Sequence, residues 1–243
     1  MVSLLPLAVV LAGPFVGSFV AAGAGQMIAE RPVLTARSRC DACGRVLRPW
    51  DMVPLVSWLA LGGRCRDCGA RISAGVWLAE WAGAGIGVAS AVAVPGGLAL
   101  VSAVFGWTLL WLALLDLRAM WLPRVGGWGL ALAGLGVSAW LGREVLVASA
   151  IGATVGWAVL AGLGWAYRRL RGQDGLGEGD PPLLAAAGAW VGWQGLASVA
   201  LIAACTGIAH ALLTRRGVEA VRVPFGAHLA LAIFTVWVAG PVG

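Results

Sequence analysis

The chain has 243 residues, is 60% hydrophobic, has a mean hydropathy of +0.88 and carries only 12% charged residues. A soluble domain of that length needs far more polar surface, so the composition excludes one and describes an all-α polytopic membrane protein. The net charge of +6 comes entirely from arginine; with no basic run interleaved with aromatics, it reports the positive-inside bias of membrane loops rather than nucleic-acid binding.

Residues 1–29 read as the first transmembrane helix. No Arg precedes this apolar run, whereas Arg31, Arg37 and Arg39 follow it, the reverse of a signal peptide's charge order. The helix is expected to be retained, with its N-terminus outside and the next loop in the cytoplasm. Residues 30–73 break the apolar pattern with eight arginines, four acids and four of the five cysteines. They are expected to form a small cytoplasmic insertion. Its apolar middle, "MVPLVSWLALGG" (52–63), suits either the membrane surface or a small core of its own.

Residues 74–243 hold the remaining apolar segments, at Val76–Val94, Gly97–Leu115, Val125–Leu141, Val145–Trp165, Leu183–Val191, Leu196–Leu213 and Ala227–Ala239. With the first helix these make about eight. The stretch 183–213 reads either as one helix or as two broken at "GWQG" (192–195). With two, Arg118, Arg124, Arg168, Arg169, Arg171, Arg215, Arg216 and Arg222 share the side of the cysteine loop and only Arg143 lies opposite, which the charge bias favours. The short first piece cannot span a hydrocarbon core of about 30 Å, so it is short, extended at its ends, or sunk in a protein-lined region. Small-residue clusters at 83–87, 152–156 and 162–165 suit close helix packing, and the fourteen tryptophans fall mostly near segment ends, as interfacial anchors do.

The cysteines form two CxxC pairs, Cys40/Cys43 and Cys65/Cys68, separated by 21 residues. Each sits in a similar knuckle, "RCDACGRVL" and "RCRDCGARI", whose glycine lets the backbone turn its amides toward sulfur. Two such knuckles supply four thiolates to a structural zinc, and four cysteines close its coordination sphere. The other readings of four cysteines are a pair of disulfides, which rarely persist in cytoplasm, or four inert thiols. Cys205 stands alone in an apolar helix and is expected to be a buried small residue.

Only eleven acids occur. Glu30, Asp41, Asp51 and Asp67 belong to the cysteine loop, Glu144 adjoins Arg143, and Asp174 and Glu219 lie in basic loops. Glu80, Asp116, Glu178 and Asp180 remain near membrane boundaries, where ionisable groups mark candidate sites. Asp116 ends the third segment and Asp180 starts the sixth, on the same side. Two such aspartates meet the requirement of an acid–base pair acting on a scissile carbonyl, and Gly177 and Gly179 would let the backbone bend and a substrate strand approach. The bland readings are that Asp180 caps its helix ahead of Pro181, that Asp116 pairs with Arg118 or Arg124, that Glu178 is merely solvated, and that Glu80 pairs with an arginine of the loop. His210 and His228 show no ligand spacing and no serine or cysteine partner.

These residues resemble the type IV prepilin peptidases of bacterial pilus and type II secretion systems. The likeness covers nearly the whole chain: "GSF" (17–19), the paired CxxC loop with residues 53–73, Asp116 with "LP" (122–123), "GEGD" (177–180) running into 183–193, and "PFG" (224–226). It implies that Asp116 and Asp180 are a catalytic pair and that Cys40, Cys43, Cys65 and Cys68 bind the metal. It further implies cleavage of a basic leader after a glycine at the cytoplasmic face of the inner membrane, on a prepilin or pseudopilin helix held in lipid. N-methylation of the new N-terminus with S-adenosylmethionine would follow. The chain departs from the pattern in having Pro181-Pro182-Leu183 where a lysine is usual, Arg124 for aspartate after "LP", and changed residues after "GSF" and before Glu80. The competing expectations are a catalytically silent homologue that binds pilin-like helices and a transporter using the acids as proton relays.

Overall fold

The computed structural model describes residues 4–34, 37–173, 175–214 and 223–240; Asp174, Arg215, Arg216, Glu219 and Arg222, placed above in basic loops, lie outside them. The described residues are helical, without strands. Lipid offers no partner for a free backbone amide, so apolar segments close their hydrogen bonds internally as helices. The helices are α1 (Leu5–Ile28), α2 (Val56–Ala60), α3 (Ala74–Ala93), α4 (Leu98–Ala119), α5 (Arg124–Leu141), α6 (Arg143–Arg171), α7 (Asp180–Thr214) and α8 (Phe225–Ala239). Five of them, α1, α3, α4, α6 and α7, are long and apolar enough to cross a membrane, and α8 is a shorter apolar helix.

The chain divides into two compact units, Met1–Trp111 and Leu112–Gly243, with the boundary inside α4. In the first unit α1 packs along α3. Gly17 and Gly83 lie where these helices approach, and a Cβ on either would strike backbone of the other helix. Lipid is as apolar as leucine, so such contact, rather than escape from water, holds membrane helices together. Trp107 of α4 is buried and donates its Nε1–H to the Gly83 carbonyl at 3.0 Å, away from the interfacial role read for most tryptophans.

In the second unit α7 packs against α5, α6 and α8. It is two helices joined at Gly192, whose φ of 68° and ψ of 177° are not helical. The break therefore falls within 192–195, where charge placed it. Leu183 to Trp190 are buried, so the short piece is sunk among protein rather than lipid. Trp190 in this piece is buried too, and its Nε1–H meets the Leu130 carbonyl at 2.8 Å. Together with α1, α3, α4, α5, α6 and α8, the two pieces make eight apolar helical segments among the described residues.

Two expectations are corrected. Cys205 is exposed, not buried. It shares the second half of α7 with exposed Leu201, Ile208 and Leu212, an outward face as apolar as a core. Helix α6 runs through the basic stretch to Arg171, beyond Trp165, because three arginines in its last turn suit the negative helix end and Gly172 closes it at a left-handed φ of 68°.

Candidate functional site

Asp116 comes from the last turn of α4 and Asp180 from the first residue of α7. Both are buried, at 7% and 6% exposure, which is unusual for carboxylates. They meet beside Gly226 at the start of α8. A Cβ built on Gly226 would stand 3.0 Å from Asp116 Oδ2 and 3.2 Å from Asp180 Oδ1, so both carboxylates face one point. The neighbouring Ala227 N–H donates to Asp116 Oδ2 at 2.9 Å. Asp180 Oδ2 accepts from the Gly177 N–H at 3.2 Å.

That bond bears on the capping reading. The carboxylate turns back to Gly177 instead of forward into its helix, where Pro181 and Pro182 have no N–H to offer. Arg124 does not pair with Asp116; it lies 3.6 Å from Glu178, both side chains well exposed, a pair of little energetic weight.

Gly177 and Gly179 are brought to the site for a reason other than the expected backbone freedom. Neither takes a left-handed φ. A Cβ on Gly177 would press Asp180 Oδ2 at 3.0 Å, and one on Gly179 would strike the Leu122 carbonyl. Space, not flexibility, selects glycine there. A cavity of about 440 Å³ opens onto the pair, walled by Met120 to Arg124 and by Gly177 to Gly179.

Sequence reasoning named "PFG" without a role, and it missed Gly226 and the Ala227 amide as parts of the aspartate site. His210 and His228, which show no ligand spacing in the sequence, come to 3.1 Å, Nδ1 to Nε2, bracing α7 against the first turn of α8. No spacing signal marks a contact made by two helices folding together.

In the first unit the four cysteines converge. Gly44 and Gly69 take left-handed φ values of 70° and 69° with open space around them, and each returns an N–H to the carbonyl of its knuckle's first cysteine, at 2.8 Å and 3.0 Å. The four sulfurs lie within 4.8 Å of one another, all as free thiols. Zn–S bonds of about 2.3 Å set tetrahedral sulfurs about 3.8 Å apart, and Cys40 Sγ and Cys68 Sγ are separated by 3.8 Å. The set fits zinc. The backbone N–H groups of Cys43 and then Ala42 bring the Cys40 thiol down to about 7. At Cys68 the Ala70 amide acts in the same direction, but burial and three neighbouring thiols outweigh it and push the group up to about 12. Four sulfurs this close shed their protons together only around a cation, so metal affinity falls as pH falls. Arg45–Asp67 at 2.6 Å ties one knuckle to the other, and Arg66–Asp51 at 2.8 Å ties the second to the segment before α2.

Glu80 corrects the expected arginine pair. It is buried in α3, accepting from Ser18 Oγ at 2.8 Å and from the Leu55 N–H at 2.7 Å. The carboxylate ties the "GSF" turn of α1 to the entry of α2, where Leu55 holds a φ of 65°.

Two family models match this chain: a bacterial peptidase A24 N-terminal domain over residues 11–94 and the type IV leader peptidase family over residues 103–212. A prepilin leader peptidase/N-methyltransferase of Burkholderia pseudomallei is 41% identical over 199 residues, covering 80% of this chain and 64% of the relative. One from Aeromonas salmonicida is 38% identical over 82% of this chain and 70% of its own length. A type 4 prepilin-like proteins leader peptide-processing enzyme of Escherichia coli is 38% identical over 80% and 72%. The chain thus spans slightly less than two thirds of the Burkholderia protein's length. No solved structure matches it.

Proposed function

The chain belongs to the type IV leader peptidase family, and from that premise we propose an intramembrane aspartic endopeptidase in which Asp116 and Asp180 act as one acid–base pair. The observation that carries the reading is the meeting of both carboxylates around Gly226. One carboxylate takes a proton from water as the water oxygen attacks the scissile carbonyl carbon, and the protonated partner gives its proton to the carbonyl oxygen. The C–N bond of the tetrahedral carbon then breaks. The first carboxyl passes its proton to the leaving amine, and the second regains one from a hydroxyl, which restores the pair. The cavity walled by Gly177 and Gly179 leaves room for an extended strand beside the aspartates.

The substrate is a prepilin or pseudopilin whose leader emerges from its membrane helix at the cytoplasmic face of the bacterial inner membrane. The aspartates and the cysteine loop share that side, and zinc held by Cys40, Cys43, Cys65 and Cys68 keeps the loop folded. N-methylation of the new N-terminus, with S-adenosylmethionine as donor, is the second reaction proposed. Pro181 and Pro182 do not argue for a silent homologue: they sit in the first turn of α7, where a missing N–H breaks no helical bond, and Asp180 still faces Asp116.

The test is cleavage of prepilins by the purified protein in detergent, wild type against Asp180→Asn, with and without S-adenosylmethionine. Wild type should release the leader and the variant should not, with intact mass showing one added methyl group when the donor is present. A folded, metal-loaded wild type that cleaves none of several prepilins would replace this reading with the silent pilin-binding homologue.

A further inference from the structure

The cysteine-loop unit holds a second cavity that the peptidase reading leaves unused. It measures about 590 Å³ and opens where the second knuckle meets the start of α3, lined by Trp58, Gly63, Arg64, Arg71, Ser73 and Ala74 among others. Arg64 and Arg71 face each other across an antiparallel bridge, so two guanidinium groups are presented from one place. No acid lines the cavity. Arg45 and Arg66 are matched to Asp67 and Asp51, whereas among the described residues no carboxylate pairs with Arg64 or Arg71. Arg64 has only a long contact of 3.5 Å to the Gly69 carbonyl.

One further feature of the cavity suits an anion. The positive end of α3, a 20-residue helix, adjoins it through Ser73 and Ala74. Trp58, which forms part of its wall, is held by stacking on Trp77 at 4.9 Å.

The surroundings identify the anion. Helix α3 is of membrane-crossing length, and the cavity lies at its first turn. Beside it the unit exposes Val56 and Leu59 on α2, at 62% and 58%, and Leu78 and Trp81 on α3, at 59% and 50%. Apolar side chains mixed with tryptophan and juxtamembrane arginine are the composition of a surface seated in the headgroup layer. A free phosphate has no use for that apolar rim. We infer that this cavity binds the headgroup phosphate of an acidic phospholipid, with Arg64 and Arg71 as its ligands and the exposed face of α2 resting in the bilayer interface.

The test is native mass spectrometry of the full-length, metal-loaded protein in detergent. It is titrated separately with phosphatidylglycerol, with phosphatidylcholine of the same chains, and with inorganic phosphate. Wild type should hold phosphatidylglycerol about tenfold or more tightly than phosphatidylcholine, and Arg64→Gln/Arg71→Gln should bring the two near parity. Arg45→Gln/Arg66→Gln removes the same charge from ion-paired positions and should keep the preference. Metal content in the same spectra reports folding; if the first double variant loses its metal, Arg71→Gln alone, which leaves the Arg64–Gly69 contact in place, should still weaken phosphatidylglycerol binding. Equal retention of the two lipids by wild type would overturn the inference. An undiminished preference in a metal-loaded Arg64→Gln/Arg71→Gln would do the same. Saturable binding of inorganic phosphate that displaces the lipid would assign the cavity to a soluble anion instead.

Discussion

A side chain at position 226 has no room that does not belong to the aspartates. Its Cβ would press Asp116 Oδ2 and Asp180 Oδ1 at 3.0 and 3.2 Å, and Leu122 Cδ2 at 3.1 Å. Gly226→Ala is therefore expected to spread the carboxylates by a few tenths of an ångström and lower kcat by about 10- to 100-fold, with KM little changed, in steady-state cleavage assays. A wild-type rate in that variant would mean that the pair does not react in this arrangement. Glu80 makes a different prediction. Its carboxylate holds the Leu55 N–H while Leu55 sits at a left-handed φ. Removing it in Glu80→Ala strands a half-buried donor and frees a strained residue, at a cost of about 2 kcal/mol. Thermal denaturation should show that loss, with Glu80→Gln, which keeps one acceptor oxygen, closer to wild type. Equal stability of wild type and Glu80→Ala would remove the anchor role.

Helices α6 and α7 approach through Gly152, Gly156 and Gly188, and a Cβ on Gly188 would overlap the backbone of Gly152. Gly188→Leu must force these helices apart, at about 3 kcal/mol or more, read as a lower melting temperature together with lost cleavage. Unchanged melting would show that the contact is not made. A structural metal, as proposed, predicts a separate outcome in the cysteine loop. Chelation should expose residues 37–73 to proteolysis at their arginines while the helices of the second unit stay protected. Protection that survives chelation would count against a structural metal. These elements differ in how far the sequence revealed them. The knuckles and the 177–180 turn are local, so spacing and glycine placement make them legible. The break of α7 was legible through charge, since only two helices leave the arginines on one side. Gly226 and the Ala227 amide were not, because their contact with Asp116 spans 111 residues and uses a backbone N–H, which every residue has. Elimination singled out Glu80 but named the wrong partner for a similar reason: its partners are a hydroxyl and a main-chain amide, not an arginine.

At the scale of the whole molecule, a chain poor in charge places two of its eleven acids together in one buried site. In a bilayer such placement is costly and marks function. Elimination among the acids and the segment ends suggested the pair, and residues of the second unit assemble it: the end of α4 and the start of α7 supply the carboxylates, and α8 closes over them. The membrane class was legible from composition alone. The packing was not, because described helices carry apolar side chains outward as well as inward, as Leu201, Ile208 and Leu212 beside exposed Cys205 illustrate. We propose that Asp116 and Asp180 form a single catalytic unit. The most direct measurement is kcat/KM on a prepilin substrate for Asp116→Asn, Asp180→Asn and the double variant, each shown to be folded and metal-loaded. Each single change is expected to lower the rate by about 10²- to 10⁴-fold, and the double change to cost little more, as for residues acting as a unit. A single variant that cleaves at the wild-type rate, or single losses that multiply in the double variant, would contradict it.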